Sequence, residues 1–94
     1  MIICSAIKIQ FQRKDQTVEV VVSGLRHGDC HDLMYSLNVP MKREEIDGFI
    51  DHEGNFLDRH DAYEHAIFCG QLSDTTRTTK RERGERQLFS EDLY

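Results

Sequence analysis

No apolar run in this chain of 94 residues approaches the ~20 that cross a bilayer. The amino end, Met1-Ile2-Ile3-Cys4-Ser5-Ala6-Ile7, also lacks the basic flank and the length of a secretion signal. Cysteine is sparse and odd in number, and Cys4, Cys30 and Cys69 show no C-x-x-C spacing. Each lies in an apolar pattern, so each is expected to be a small buried hydrophobe in a reducing compartment. A cytoplasmic protein is expected. A basic face over the folded part is missing as well. The formal net charge is −5, and residues 1–75 carry seven Lys/Arg against thirteen Asp/Glu. That balance argues against a nucleic-acid polymer as partner.

Catalytic and metal signatures are absent too. No serine stands in a Gly-x-Ser-x-Gly elbow, and no cysteine has a family-specific nucleophile motif around it. Histidine and carboxylate residues crowd two stretches, His27 to Asp32 and His52 to His65, but none of their spacings matches a zinc site. Segment 51–58 lacks the closing Glu of a calcium loop. Neither metal nor cofactor is expected, and binding without turnover is favoured by subtraction.

What is present begins with a half-exposed strand over residues 2–12, in which Ile3, Ile7, Ile9 and Phe11 share one side. A turn at Arg13 to Gln16 leads into a β-branched run over 17–25, expected to pair with the first strand as an antiparallel hairpin, with a bulge near Gly24. Cys30, Leu33, Met34 and Leu37 then recur at helical spacing, capped by Gly28 or Asp29 and stopped at Asn38-Val39-Pro40. Two short strands, 48–51 and 55–57, flank a turn. Asp58 caps a second helix over about 59–69, with Ala62, Ala66 and Cys69 inward and Gly70 as its stop. The expected fold is α+β: a small antiparallel sheet with two helices packed on it, in one domain. The basic stretch at about 73–86 reads as a mobile arm, and 87–94 as a docked tail.

Two Arg-His dipeptides, Arg26-His27 and Arg59-His60, each stand where a strand gives way to a helix. A helix start exposes unpaired N–H groups and the positive end of the dipole, so a guanidinium and an imidazole there can build an anion pocket. Phe49 could stack on a nucleobase, and Asp58 could accept from a ribose hydroxyl or an adenine amino group. Each also has a purely structural alternative, as a core ring and as a helix cap. Arg26-His27-Gly28 resembles the Arg-His-Gly of histidine phosphatases, which makes a small phosphatase or phosphodiesterase the enzymatic alternative. The phosphatase fold, however, is about twice this size.

The order of Leu25-Arg26-His27-Gly28-Asp29, Gly48-Phe49-Ile50-Asp51, Gly54-Asn55-Phe56-Leu57-Asp58-Arg59 and the closing Leu88-Phe89-Ser90-Glu91-Asp92-Leu93-Tyr94 carries a further resemblance. It resembles a family of small phage proteins that includes the first type of Thoeris anti-defence protein, a sponge for the cyclic ADP-ribose isomers made by bacterial TIR enzymes. The resemblance implies that this chain sequesters a cyclic nucleotide immune signal without cleaving it and is not an enzyme. It implies Arg26 at the phosphates, Phe49 against a base, and the Asp58-Arg59 junction at the ribose and purine edge, and His27 is expected among the ligand-binding residues as well. Family members favour Asn where this chain has Asp58. Assembly as a homo-oligomer, dimer or hexamer, is implied as well, and some members also hold cyclic oligonucleotides at a separate site.

Overall fold

The computed structural model describes residues 1–93; Tyr94, the last residue of the expected tail, lies outside them. Strand β1 (Ile2–Arg13) and strand β2 (Gln16–Gly24) form the expected antiparallel hairpin. Its turn is tight because Lys14 and Asp15 both take positive φ, 51° and 63°, as primed hairpin turns require. Strand β3 (Glu44–Asp51) pairs with the other edge of β1, and β4 (Phe56–Asp58) pairs with β3, so the sheet runs β2-β1-β3-β4 and is antiparallel throughout. β3 begins at Glu44 rather than Gly48 because its polar first half, Glu44 to Asp47, pairs with Ile7 to Gln10 of β1. Backbone pairing is indifferent to side-chain polarity, so the apolar pattern understated this strand.

The period of two sets the layers. Ser5, Ile7 and Ile9 of β1 are buried on one face, opposite Phe49 on β3 and Val22 on β2. Helix α1 (His27–Ser36) packs against β1 and β2, whereas α2 (Arg59–Phe68) packs against β1, β3 and β4. Two core clusters result. Ile7, Ile9, Val22, Cys30 and Met34 lie under α1, and Ile2, Phe49, Ala62, Ala66, Leu72 and Leu88 lie under α2 and the tail. A fully buried Ile, Met or Phe of this kind contributes roughly 1.5–3 kcal/mol.

Several expectations are corrected. Residues 74–83 form a third helix, α3 (Asp74–Arg83), where a mobile arm was expected. The Ser73 hydroxyl caps it by accepting from Thr76 N–H, Gly84 ends it at φ 66°, and Lys80 is buried. Polar helices of this composition carry no apolar periodicity, which is why the pattern missed it. Cys30 is buried as expected, but Cys4 is half-buried and Cys69 exposed. In the stripe of α1 only Cys30 and Met34 are buried, while Leu33 and Leu37 remain exposed. The cap of α1 is Arg26, not Gly28 or Asp29. Gly24 marks a close approach: a Cβ there would lie 2.9 Å from the Asp29 Cβ. The register irregularity falls instead between Ile2 and Cys4 of β1. Among the described residues no helix is long and apolar enough to cross a membrane.

Candidate functional site

The end of β2 and the end of β4 each deliver an arginine to a helix start; these are the two edge strands of the sheet, and both end level with Ser5 and Ala6 of β1. Arg26 keeps extended backbone angles while its carbonyl accepts the first helical bond of α1, from Cys30 N–H at 3.3 Å. Asp29 reaches back to accept from Arg26 N–H at 3.0 Å, the reciprocal half of a capping arrangement. At the other junction Asp58 Oδ1 accepts from Asp61 N–H at 2.8 Å, so this carboxylate serves as the N-cap of α2.

His27, the first residue of α1, is held at both ring nitrogens. Nε2 lies 2.8 Å from the Gly48 carbonyl oxygen, and Nδ1 lies 2.7 Å from Ser90 Oγ. A carbonyl can only accept, so Nε2 carries the proton and a neutral ring accepts at Nδ1 from the Ser90 hydroxyl. Ser90 Oγ in turn lies 2.7 Å from Ser5 Oγ on β1, a contact closed off from water. Burial lowers the His27 pKa below its ordinary value, and nearby Arg59 lowers it further; the Gly48 carbonyl opposes the shift only in part. The ring meets Phe49 edge to face, with centroids 5.1 Å apart.

Arg59 is bound to the tail and the sheet at once. One guanidinium nitrogen donates to the Leu88 carbonyl at 2.7 Å and the other to Asp47 Oδ2 at 3.3 Å, while its cation stands 4.7 Å from the Phe89 ring centre. Lys80 of α3 approaches the Phe89 ring as well, at 5.0 Å, and its ammonium meets Asp92 at 2.9 Å. The tail is therefore docked by Leu88, Phe89, Ser90 and Asp92.

Arg26, His27 and Arg59 come together around one cavity of about 270 Å³, whose other walls are Gly28, Phe89, Ser90 and Glu91. Asp58 borders a neighbouring hollow of about 400 Å³ with Asp47 and His60, and Arg59 faces both spaces. Phe49 joins neither. It is 0 % exposed and belongs to the core cluster, so it has no ring face open to a base in this structure. Its contribution here is indirect, through packing on His27.

Ser5, Ser90 and the Gly48 carbonyl were missed by sequence reasoning. They lie at positions 5, 48 and 90, and no local spacing couples them. His31, Glu45 and Asp47 also meet, their ligand atoms within 4.8 Å of one another. Each carboxylate already faces a guanidinium, Glu45 that of Arg43 at 2.6 Å and Asp47 that of Arg59 at 3.3 Å, which weakens its hold on a cation. Burial pushes the Cys30 thiol up to about 11, leaving it a poor nucleophile.

Residues 1–94 match the family model described as phage T4 y16D protein. No curated protein and no solved structure matches the chain.

Proposed function

The chain belongs to the phage T4 y16D protein family, and from that premise we propose that this small phage protein binds and sequesters a cyclic nucleotide immune signal without cleaving it. A cyclic ADP-ribose isomer is the first candidate and a cyclic oligonucleotide the second. The observation that carries the reading is the meeting of both arginine-bearing strand-to-helix junctions at one cavity, with Arg26 and Arg59 on its walls. Guanidinium forks beside the N–H groups that open α1 suit phosphate oxygens. The cavity's 270 Å³ is below the usual range for sites that enclose an organic ligand, so a second protomer is proposed to complete it.

His27 favours holding over turnover. Its nitrogens are engaged by Gly48 and Ser90, and no ring lone pair is left to attack phosphorus as a phosphatase histidine must. The test is native mass spectrometry of the protein incubated with a panel of cyclic ADP-ribose isomers and cyclic oligonucleotides, followed by heat denaturation and analysis of what is released. An intact bound species is expected. Release of hydrolysed product would replace the sponge with an enzyme, and failure of the whole panel to bind would end the nucleotide reading. Light scattering checks the assembly, where a monomer mass of 11.0 kDa would remove the shared site.

A further inference from the structure

Donor atoms from three parts of the fold meet where β1 begins. The Met1 amino nitrogen lies 2.9 Å from His52 Nδ1 and 2.8 Å from His65 Nε2, and Cys69 Sγ lies 3.6 Å from the same His65 nitrogen. Only His65 and Cys69 are close in sequence, at i and i+4 on one face of α2 and its C-cap. The start of β1 and the turn after β3 supply the rest, so no spacing along the chain announces the set.

The backbone beneath holds these donors in place. The Gln71 side chain clamps Ile2, its oxygen accepting from Ile2 N–H at 2.6 Å and its nitrogen donating to the Ile2 carbonyl at 2.9 Å. His52 N–H donates to the Met1 carbonyl at 2.8 Å. The Asp51 carboxylate fixes the turn that carries His52, accepting from Glu53 N–H at 3.0 Å and Asn55 N–H at 2.8 Å. His65 is half-buried, whereas Met1, His52 and Cys69 face solvent. An ion can therefore reach the cluster, and the His52 and Cys69 side chains can close on it by rotation.

We infer that the Met1 amine, His52, His65 and Cys69 form a four-ligand site for Zn²⁺. Two imidazoles, a thiolate and an amine, with no carboxylate among them, are a borderline-soft set that favours zinc over magnesium or calcium. Tetrahedral Zn–N bonds of about 2.0–2.1 Å and a Zn–S bond of about 2.3 Å put neighbouring donors roughly 3.3–3.6 Å apart. The 3.6 Å contact already fits, and the two shorter ones need to open by roughly half an ångström. On binding, the thiol and the ammonium each release a proton to solvent, and their lone pairs join those of the two neutral imidazoles on the metal. Glu53 stands 3.6 Å from His52 Nε2, the ring nitrogen turned away from the other donors, where a carboxylate orients a ligand histidine. Bound zinc would tie the start of β1 to the β3–β4 turn and the end of α2. None of its ligands lines the cavity at Arg26 and Arg59, so the site does not depend on the nucleotide reading.

The probe is Co²⁺, a spectroscopic stand-in for Zn²⁺, titrated into the reduced full chain whose intact mass retains Met1. A sulfur-to-cobalt charge-transfer band and the intense visible bands of tetrahedral cobalt are expected to saturate at a single ion per chain, and Zn²⁺ should bleach them. Cys69→Ser should remove the charge-transfer band. His52→Ala, His65→Ala and a short extension before Met1 that turns its amine into an amide should each weaken Zn²⁺ by about tenfold or more, at least the loss expected for an outer-shell partner. His31→Ala, outside the set, should leave the affinity unchanged. A spectrum that stays that of six-coordinate aqueous cobalt, a charge-transfer band that survives Cys69→Ser, or unaltered affinity in any of the other three ligand changes would overturn the inference. The wild-type spectrum decides even if a variant does not fold.

Discussion

Arg59→Ala should free the C-terminal segment. The guanidinium makes a charged hydrogen bond to the Leu88 carbonyl at 2.7 Å, a longer contact to Asp47 at 3.3 Å and a cation–π contact with Phe89 at 4.7 Å. The first is worth about 1.5–3 kcal/mol and the cation–π contact about 0.5–1, while the pair to the partly exposed Asp47 adds at most about 1. The expected loss is therefore about 2–5 kcal/mol. That is a large share of a typical stability of about 5–15 kcal/mol, and in a domain of this size it lowers the thermal midpoint by about 10–40 °C. The bond from Leu88 N–H to the Arg59 backbone carbonyl, 2.9 Å, survives the substitution, so the tail should loosen rather than the helix melt. Thermal denaturation by circular dichroism gives the magnitude, and hydrogen exchange gives the place: amides of residues 88–93 should lose protection first. A variant within about 0.5 kcal/mol of wild type, or one whose added exchange is spread evenly over the chain, would refute the assignment of Arg59 as the clasp of the tail.

At Asp58 the cap and ligand roles separate by substitution. Asp58→Ala should cost about 0.5–2 kcal/mol, whereas Asp58→Asn should cost little yet tighten binding of a dianionic nucleotide at low salt; unchanged affinity in Asp58→Asn would leave the residue a cap alone. Arg26→Ala should weaken the nucleotide by about 2–5 kcal/mol and Arg26→Lys should also lose affinity, both read by calorimetry against wild type. His27 links stability to pH. Because folding lowers its pKa below 6.5, the unfolded ring takes up a proton more readily. Its contribution is complete above about pH 6.5 and is lost as pH falls through the folded value. The gap in urea midpoint between wild type and His27→Gln should narrow with acidification, and a gap constant with pH would show that the ring does not titrate on unfolding. Gly48→Ala should destabilise by about 1–3 kcal/mol, since a Cβ there collides with the Leu57 carbonyl and comes within 2.6 Å of the Phe56 ring. An unchanged unfolding midpoint would mean that β4 can move aside.

Much of the local structure was legible in the chain because it follows from short-range chemistry. The β-branched run of β2, the helix stop at Gly70 with φ 69°, and the Asp58 cap depend on residues within a few positions of one another. Apolar pattern placed Ile7 and Ile9 of β1 on the buried face but misplaced Ile3, which is exposed because the register shifts between Ile2 and Cys4; it also shortened β3, whose polar half is held by backbone pairing, and overlooked α3, which has polar residues at all its positions. The two Arg-His junctions could be read as helix starts. That Arg26 and Arg59 would border one cavity could not, because it follows from β3 pairing with β1 across an intervening helix. The same limit explains Phe49. A short apolar strand in sequence is compatible with either an exposed ring or a core one, and only the packing of α2 and Leu88 over it decided for the core. His27 showed a similar divide: the chain placed it at the first turn of α1, but its neutral tautomer was decided by Gly48 and Ser90, brought near by folding. Caps, turns and strand periodicity are encoded by neighbours along the chain. Cavities and proton positions depend on which distant groups the sheet register brings within a few ångströms.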